Sequence, residues 1–307
     1  MAKIGLVSKR LYESKIQIET NSWLLRKMVA KLKGINRIAR FRRVAADFAS
    51  QIAAHKGVAG ILFLGGLTRG FADEFSDLDV LVLLKNRDED LKRKLVGTWR
   101  DAERRHHIEI DFEIHFIEDF KAYSWDDADR WEFSKAKIVF DPEGEAKKVL
   151  SEKLKVSENF WKKRVVVCAE YLKWYCCPVR KSSSTVAEVW IKRGDLTSAH
   201  YCLNYGVELL IRLIFALNKE FWPAPKWRLF HSYSLKWLPK NYCRLIREAL
   251  RTGELSLMDF GRRLRALQVL GREVFRKIEE DMGLDSELIS KFYVEKVLRQ
   301  DWAASWR

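Results

Sequence analysis

Two short apolar runs, residues 58–64 and 80–84, flank the segment Gly65-Gly66-Leu-Thr68-Arg69-Gly-Phe-Ala-Asp-Glu-Phe-Ser76-Asp77-Leu-Asp79. Each run has the length and composition of a buried strand. So little chain lies between them that the glycine pair and the two aspartates must sit close to the ends of neighbouring strands. Side chains alternate along a strand, so Asp77 and Asp79 share a face, while Leu78 and Val80 point into a core. Two carboxylates side by side at the start of a buried strand repel each other, and a divalent cation removes that repulsion. Mg²⁺ takes oxygen ligands, commonly one or two carboxylates together with substrate phosphates.

A third acidic stretch reinforces this pattern. In residues 108–116, Ile108, Ile110, Phe112, Ile114 and Phe116 alternate with Glu109, Asp111, Glu113 and His115. One face is apolar, and the other carries three carboxylates and no Lys or Arg. A half-solvated strand usually mixes its polar residues. An acid-rich face beside residues 80–84 can bring a third carboxylate to Asp77 and Asp79.

The glycine pair Gly65-Gly66, the Asp77-Leu-Asp79 unit and the later acid on an alternating strand together resemble the DNA polymerase beta-type nucleotidyltransferase superfamily. More narrowly they resemble its two-domain small members of the kanamycin and lincosamide type. The resemblance covers about residues 38–141. It implies an α+β fold, in which an N-terminal catalytic domain with a mixed sheet flanked by helices precedes an all-helical C-terminal domain. It implies transfer of a nucleoside monophosphate from a triphosphate, ATP being the expected one, to an acceptor hydroxyl on a small molecule, with release of pyrophosphate. The cofactor implied is a pair of Mg²⁺ ions, with Mn²⁺ as a substitute. Asp77, Asp79 and Asp111 are the expected catalytic residues and metal ligands. Glu113 is retained as an alternative base, because Ile110-Asp111-Phe112 fits the family's apolar-Asp-apolar unit better.

The glycines would let the backbone approach a phosphate closely. Thr68 and Arg69 would add a hydroxyl and a positive charge to it, and Ser76 stands beside the acid pair. No Gly-Lys-[Ser/Thr] follows, so this is not a Walker loop. Farther on, Arg193-Gly-Asp195 precedes a long apolar helix, and residues 218–227 carry Pro223, Pro225, Lys226 and Trp227. Lys226 is the expected point-charge partner of a triphosphate. His115 and His200 are read as structural residues.

The chain of 307 residues suggests two domains, placed at 1–150 and 151–307, the first with a basic helical extension. Residues 1–48 hold 12 Lys and Arg against 3 Asp and Glu, residues 49–150 hold 16 against 21, and residues 151–307 hold 29 against 18. An acidic catalytic segment between basic flanks leaves RNA as an alternative acceptor, and a non-catalytic nucleotide sensor as a reading from another class. Five cysteines form no Cys-x-x-Cys pair, so neither a zinc site nor a disulfide framework is expected, and a reducing cytoplasm fits. No signal peptide is read at the start, and no membrane partner is expected. The longest apolar run, residues 207–217, is interrupted by Glu208 and Arg212.

Periodicity predicts helices near 22–32, at 36–55 and at 88–106, a short helix opening at 67–71, one helix over 118–133, and strands at 58–64, 78–84, 108–117 and 137–140. An Asp-Pro turn at 141–144 closes the catalytic domain. Helices follow at 159–175, 186–193, from Asp195 to the Asn218 stop, and at 242–251, 256–281 and 286–299.

Overall fold

The computed structural model describes residues 34–178 and 184–298; the helix expected near 22–32 lies outside them. The chain divides into two compact units, one ending at Val156 and the next beginning at Ser157. The boundary expected at residue 150 falls inside a helix that the sequence pattern did not announce, Glu145–Leu154.

The first unit is built on a four-stranded mixed sheet. The strands are β1 (Val58–Phe63), β2 (Leu78–Leu84), β3 (Ile110–Phe116) and β4 (Lys137–Phe140), in the spatial order β3-β2-β1-β4. β1 runs antiparallel to both β2 and β4, whereas β2 and β3 are parallel. Parallel neighbours need a crossover, and the helix Glu89–His106 supplies it. Its N-terminus is capped by the Asp88 side chain, which accepts from Leu91 N–H at 2.9 Å.

Alternation divides the core into two layers. Leu78, Val80, Val82 and Leu84 of β2 pack with Ile110 of β3, with Phe41, Val44, Phe48 and Ile52 of helix α1 (Ile38–Ala53), and with Leu91 and Leu95 of the crossover helix. On the opposite face Leu81 and Leu83 pack with Leu62, Ile117, Phe120, Trp125 and Val149. Asp79 shares the face of Leu81 and Leu83 but lies at the strand start. β3 turns Ile110 to the first layer and leaves Asp111, Glu113 and His115 exposed.

The glycine helix α2 is Gly65–Arg69, two residues earlier than expected, so the glycine pair forms its first turn rather than a loop before it. With the crossover helix as α3, the segment 118–133 forms two helices, α4 (Ile117–Ala122) and α5 (Asp127–Phe133). Trp125 is buried between them and stacks on Phe133 with ring centroids 4.4 Å apart. The Asp126 side chain then caps the new helix, accepting from Asp129 N–H at 2.9 Å. Helix α6 is Glu145–Leu154.

The second unit is helical throughout its described residues, and the α+β expectation holds. Its elements are α7 (Glu158–Tyr175), α8 (Val186–Lys192), α9 (Leu196–Leu217), α10 (Pro225–Ser232), α11 (Tyr242–Leu250), α12 (Leu257–Met282) and α13 (Ser286–Phe292), followed by a π-helical turn at Tyr293–Leu298. α9 packs on α7, α8 and α12. Contrary to expectation, α9 is long and apolar enough to cross a membrane by length and composition; most of it is buried within its own unit. Glu208 does not break it, because this carboxylate pairs with Arg212 at 2.7 Å and with Arg228.

Candidate active site

The parallel register pairs Asp79 with Asp111, and Leu81 with Glu113. Both acids of β3 therefore lie on the Asp79 face, one level apart. Asp77, Asp79 and Asp111 each offer a carboxylate oxygen, and these three atoms lie within 4.8 Å of one another. Asp77 and Asp111 are exposed and Asp79 is half-buried. Glu113 is engaged elsewhere: its Oε2 lies 3.1 Å from His115 Nε2, and this bond holds its carboxyl below the usual range.

Electrostatics at Asp79 explain what the cluster needs. Burial, followed by the neighbouring Asp77, Glu132 and Asp111 carboxylates, pushes its pKa from 3.8 up to about 7, with Arg69 opposing. With Glu132 engaged by Gly65 and Arg69, the converging Asp77, Asp79 and Asp111 form a set of hard oxygen donors short of positive charge. That chemistry fits a divalent cation such as Mg²⁺.

The glycine turn is built against the acid pair. Gly65 has φ +54°, and a Cβ there would overlap Asp79 Oδ2. A Cβ on Gly66 would lie 2.6 Å from the Phe71 carbonyl oxygen. Both positions thus require glycine, one for the carboxylate behind it and one for the returning backbone. Asn36 fastens the far side of the turn. Its Nδ2 donates to Gly70 O at 3.0 Å, and its Oδ1 accepts from Ala72 N–H at 3.3 Å.

The other expected nucleotide-site residues fall into three groups. Thr68 Oγ1 donates to Gly65 O at 3.0 Å, and Ser76 Oγ donates to Asp73 Oδ1 at 3.1 Å, so both hydroxyls brace the loop internally. Arg69 lies at the site, its guanidinium stacked 3.8 Å from the Trp131 ring centroid and its Nη2 2.8 Å from Glu132 Oε2. Lys226 lies exposed in the first turn of α10, in the helical unit, and its assignment rests on the sequence alone. His200 is buried in the helical core, with Nδ1 2.9 Å from Arg263 Nη1.

Sequence reading missed Glu132. Its Oε1 accepts the Gly65 N–H at 2.6 Å while its Oε2 takes Arg69. It lies 67 residues from Gly65, among seven acids in residues 113–132, and nothing local distinguishes it from the others.

Residues 45–166 match the family model of the nucleotidyltransferase domain. Among solved structures, the crystal structure of a nucleotidyltransferase-like protein from Exiguobacterium sibiricum aligns with 82% of this chain and 87% of its own, at 12% identity and a TM-score of 0.38. No curated protein matches the chain.

Proposed function

We propose that the chain, whose residues 45–166 match the nucleotidyltransferase domain model, is a metal-dependent enzyme that moves a nucleoside monophosphate from a triphosphate, ATP being favoured, to a hydroxyl on a small acceptor. The observation that carries this reading is the convergence of Asp77, Asp79 and Asp111 oxygens within 4.8 Å. Three carboxylates converging at the strand starts serve no packing purpose, yet their hard oxygen donors suit divalent cations.

In this reading Asp77 and Asp79 would hold the Mg²⁺ ions, and Asp111 would complete the ligand set. When bound, the ions neutralise phosphate charge and the charge developing on the attacking and leaving oxygens. The glycine turn lets the triphosphate backbone approach β1 and β2, and Arg69 gives it a positive partner. The acceptor oxygen attacks the α-phosphorus in line. The bond to the β-phosphate oxygen breaks, pyrophosphate leaves, and the acceptor proton passes to a site carboxylate. Asp111 is favoured over Glu113 for this, since the Glu113 carboxylate is held by His115. Positioning and charge supply most of the rate. The five cysteines are buried and form no disulfide, which supports the proposed reducing, cytoplasmic setting.

The test is incubation with labelled nucleoside triphosphates and Mg²⁺ over separate pools of small hydroxyl compounds and of RNA. Pyrophosphate release with label on a small acceptor, abolished by chelation, is the expected result. Label on RNA, together with a salt-sensitive RNA complex, would replace the small acceptor by an RNA end. Binding without turnover on any pool would leave a nucleotide sensor.

A further inference from the structure

Three donors converge beside Asp79: the Gly65 N–H, Arg69 Nη2 and Arg69 Nε. A single carboxylate, Glu132, serves them with two oxygens. Oε1 accepts from Gly65 at 2.6 Å and Oε2 from Arg69 Nη2 at 2.8 Å. Arg69 Nε, on the same edge of the planar guanidinium, is buried and has no hydrogen-bond partner among the described residues. An orphaned buried donor on a charged group is expensive. A carboxylate could satisfy both nitrogens of that edge in a bidentate pair. Glu132 does not, because it spends its second oxygen on Gly65.

We propose that Glu132 is a resident stand-in for a phosphoryl group, occupying the three-donor cradle until a polyphosphate displaces it. A phosphoryl group presents three oxygens where a carboxylate presents two, so it can satisfy all three donors together. Trp131 makes the exchange a simple one. Its ring stacks on the guanidinium at 3.8 Å and holds the plane of Arg69 in place whichever anion takes the fork. Departure of Glu132 also removes one of the carboxylates crowding Asp79. The inference rests on the nucleotidyltransferase reading and adds a gate to it: Glu132 competes with the substrate it makes room for, and it sets the affinity for the triphosphate.

Glu132→Gln tests this directly, since the amide keeps the size and can still accept from Gly65 but carries no charge. Binding of inorganic tripolyphosphate without metal, and of a non-hydrolysable ATP analogue with Mg²⁺, should each tighten about tenfold. In turnover the triphosphate KM should fall. Circular dichroism and thermal melting of the variant confirm the fold. Unchanged or weaker binding by folded Glu132→Gln, with the wild type binding normally, overturns the gate and leaves the enzyme reading standing. Failure of both proteins to bind either probe overturns the nucleotide reading and the gate with it. A structure of the wild type with the ATP analogue and Mg²⁺ gives an answer without a variant. The Glu132 carboxylate should have left the Gly65 N–H, and its persistence there beside bound triphosphate refutes the displacement.

Discussion

Asp79 is the residue at which folding and chemistry conflict. Its place at the start of β2 half-buries it beside Asp77, Glu132 and Asp111, and a proton or a cation relieves that. Asp77→Asn or Asp79→Asn should lower nucleotidyl transfer at least about 100-fold while leaving the circular dichroism spectrum intact. The metal-free melting temperature should rise, because a repelling charge is gone. Full activity in either variant would sink the metal assignment. The pH dependence has a definite sign. The unfolded chain releases the Asp79 proton near 3.8, whereas the folded protein keeps it to about 7. Between those values the folded state binds more protons, so metal-free stability should fall as pH rises through that window. Thermal melts at pH 5 and pH 8 measure it. Mg²⁺, or Asp79→Asn, should flatten the difference, and an equal slope in the variant would assign it to other groups.

At the scale of elements, α2 separates two ways in which glycine is required. Gly65 and Gly70 both have positive φ, yet a Cβ at Gly70 meets nothing within 4 Å while one at Gly65 runs into Asp79. Gly70→Ala should cost about 1 kcal/mol of backbone strain and retain activity. Gly65→Ala should cost clearly more, on the order of 2–4 kcal/mol, and abolish transfer by displacing the Asp79 carboxylate. Urea titrations of the two variants compare them, and equal losses would mean that backbone strain alone explains both. The same scale shows what pattern reading can resolve. The strict alternation of β3 announced which side chains face the core. The break between α4 and α5 was hidden, because Trp125 is buried in a bend rather than on a helical face. The Asp126-x-x-Asp129 spacing was a readable sign of a new helix start. It was overlooked among so many acids.

At the scale of the whole molecule, the helical unit carries its own polar centre. Arg263 is 1% exposed. Its Nε donates to Ala249 O at 2.7 Å, its Nη1 faces His200 Nδ1 at 2.9 Å, and its Nη2 reaches Asn204 Oδ1. One side chain thus ties α9, α11 and α12 together. Arg263→Met would leave those three partners unsatisfied in the core and should destabilise the protein by about 2–4 kcal/mol, read from chemical denaturation. Transfer activity should persist at low temperature in protein that remains folded. A loss below about 1 kcal/mol would show that the network is dispensable.

The sequence by itself determined the strand pattern, the α+β order, the acid pair with its glycine turn, and a helical second half. All of these are written in periods of two and 3.6 residues or in motifs spanning fewer than twenty positions. Tertiary structure decided which strand lies beside β2, and therefore that Asp111 stands level with Asp79 while Glu113 stands level with Leu81. It also decided that Glu132 returns across 67 residues to the Gly65 amide, and that one buried arginine organises three helices. Register and long-range return depend on how whole layers pack, and an exposed acid and a site acid are the same letter until that packing places them.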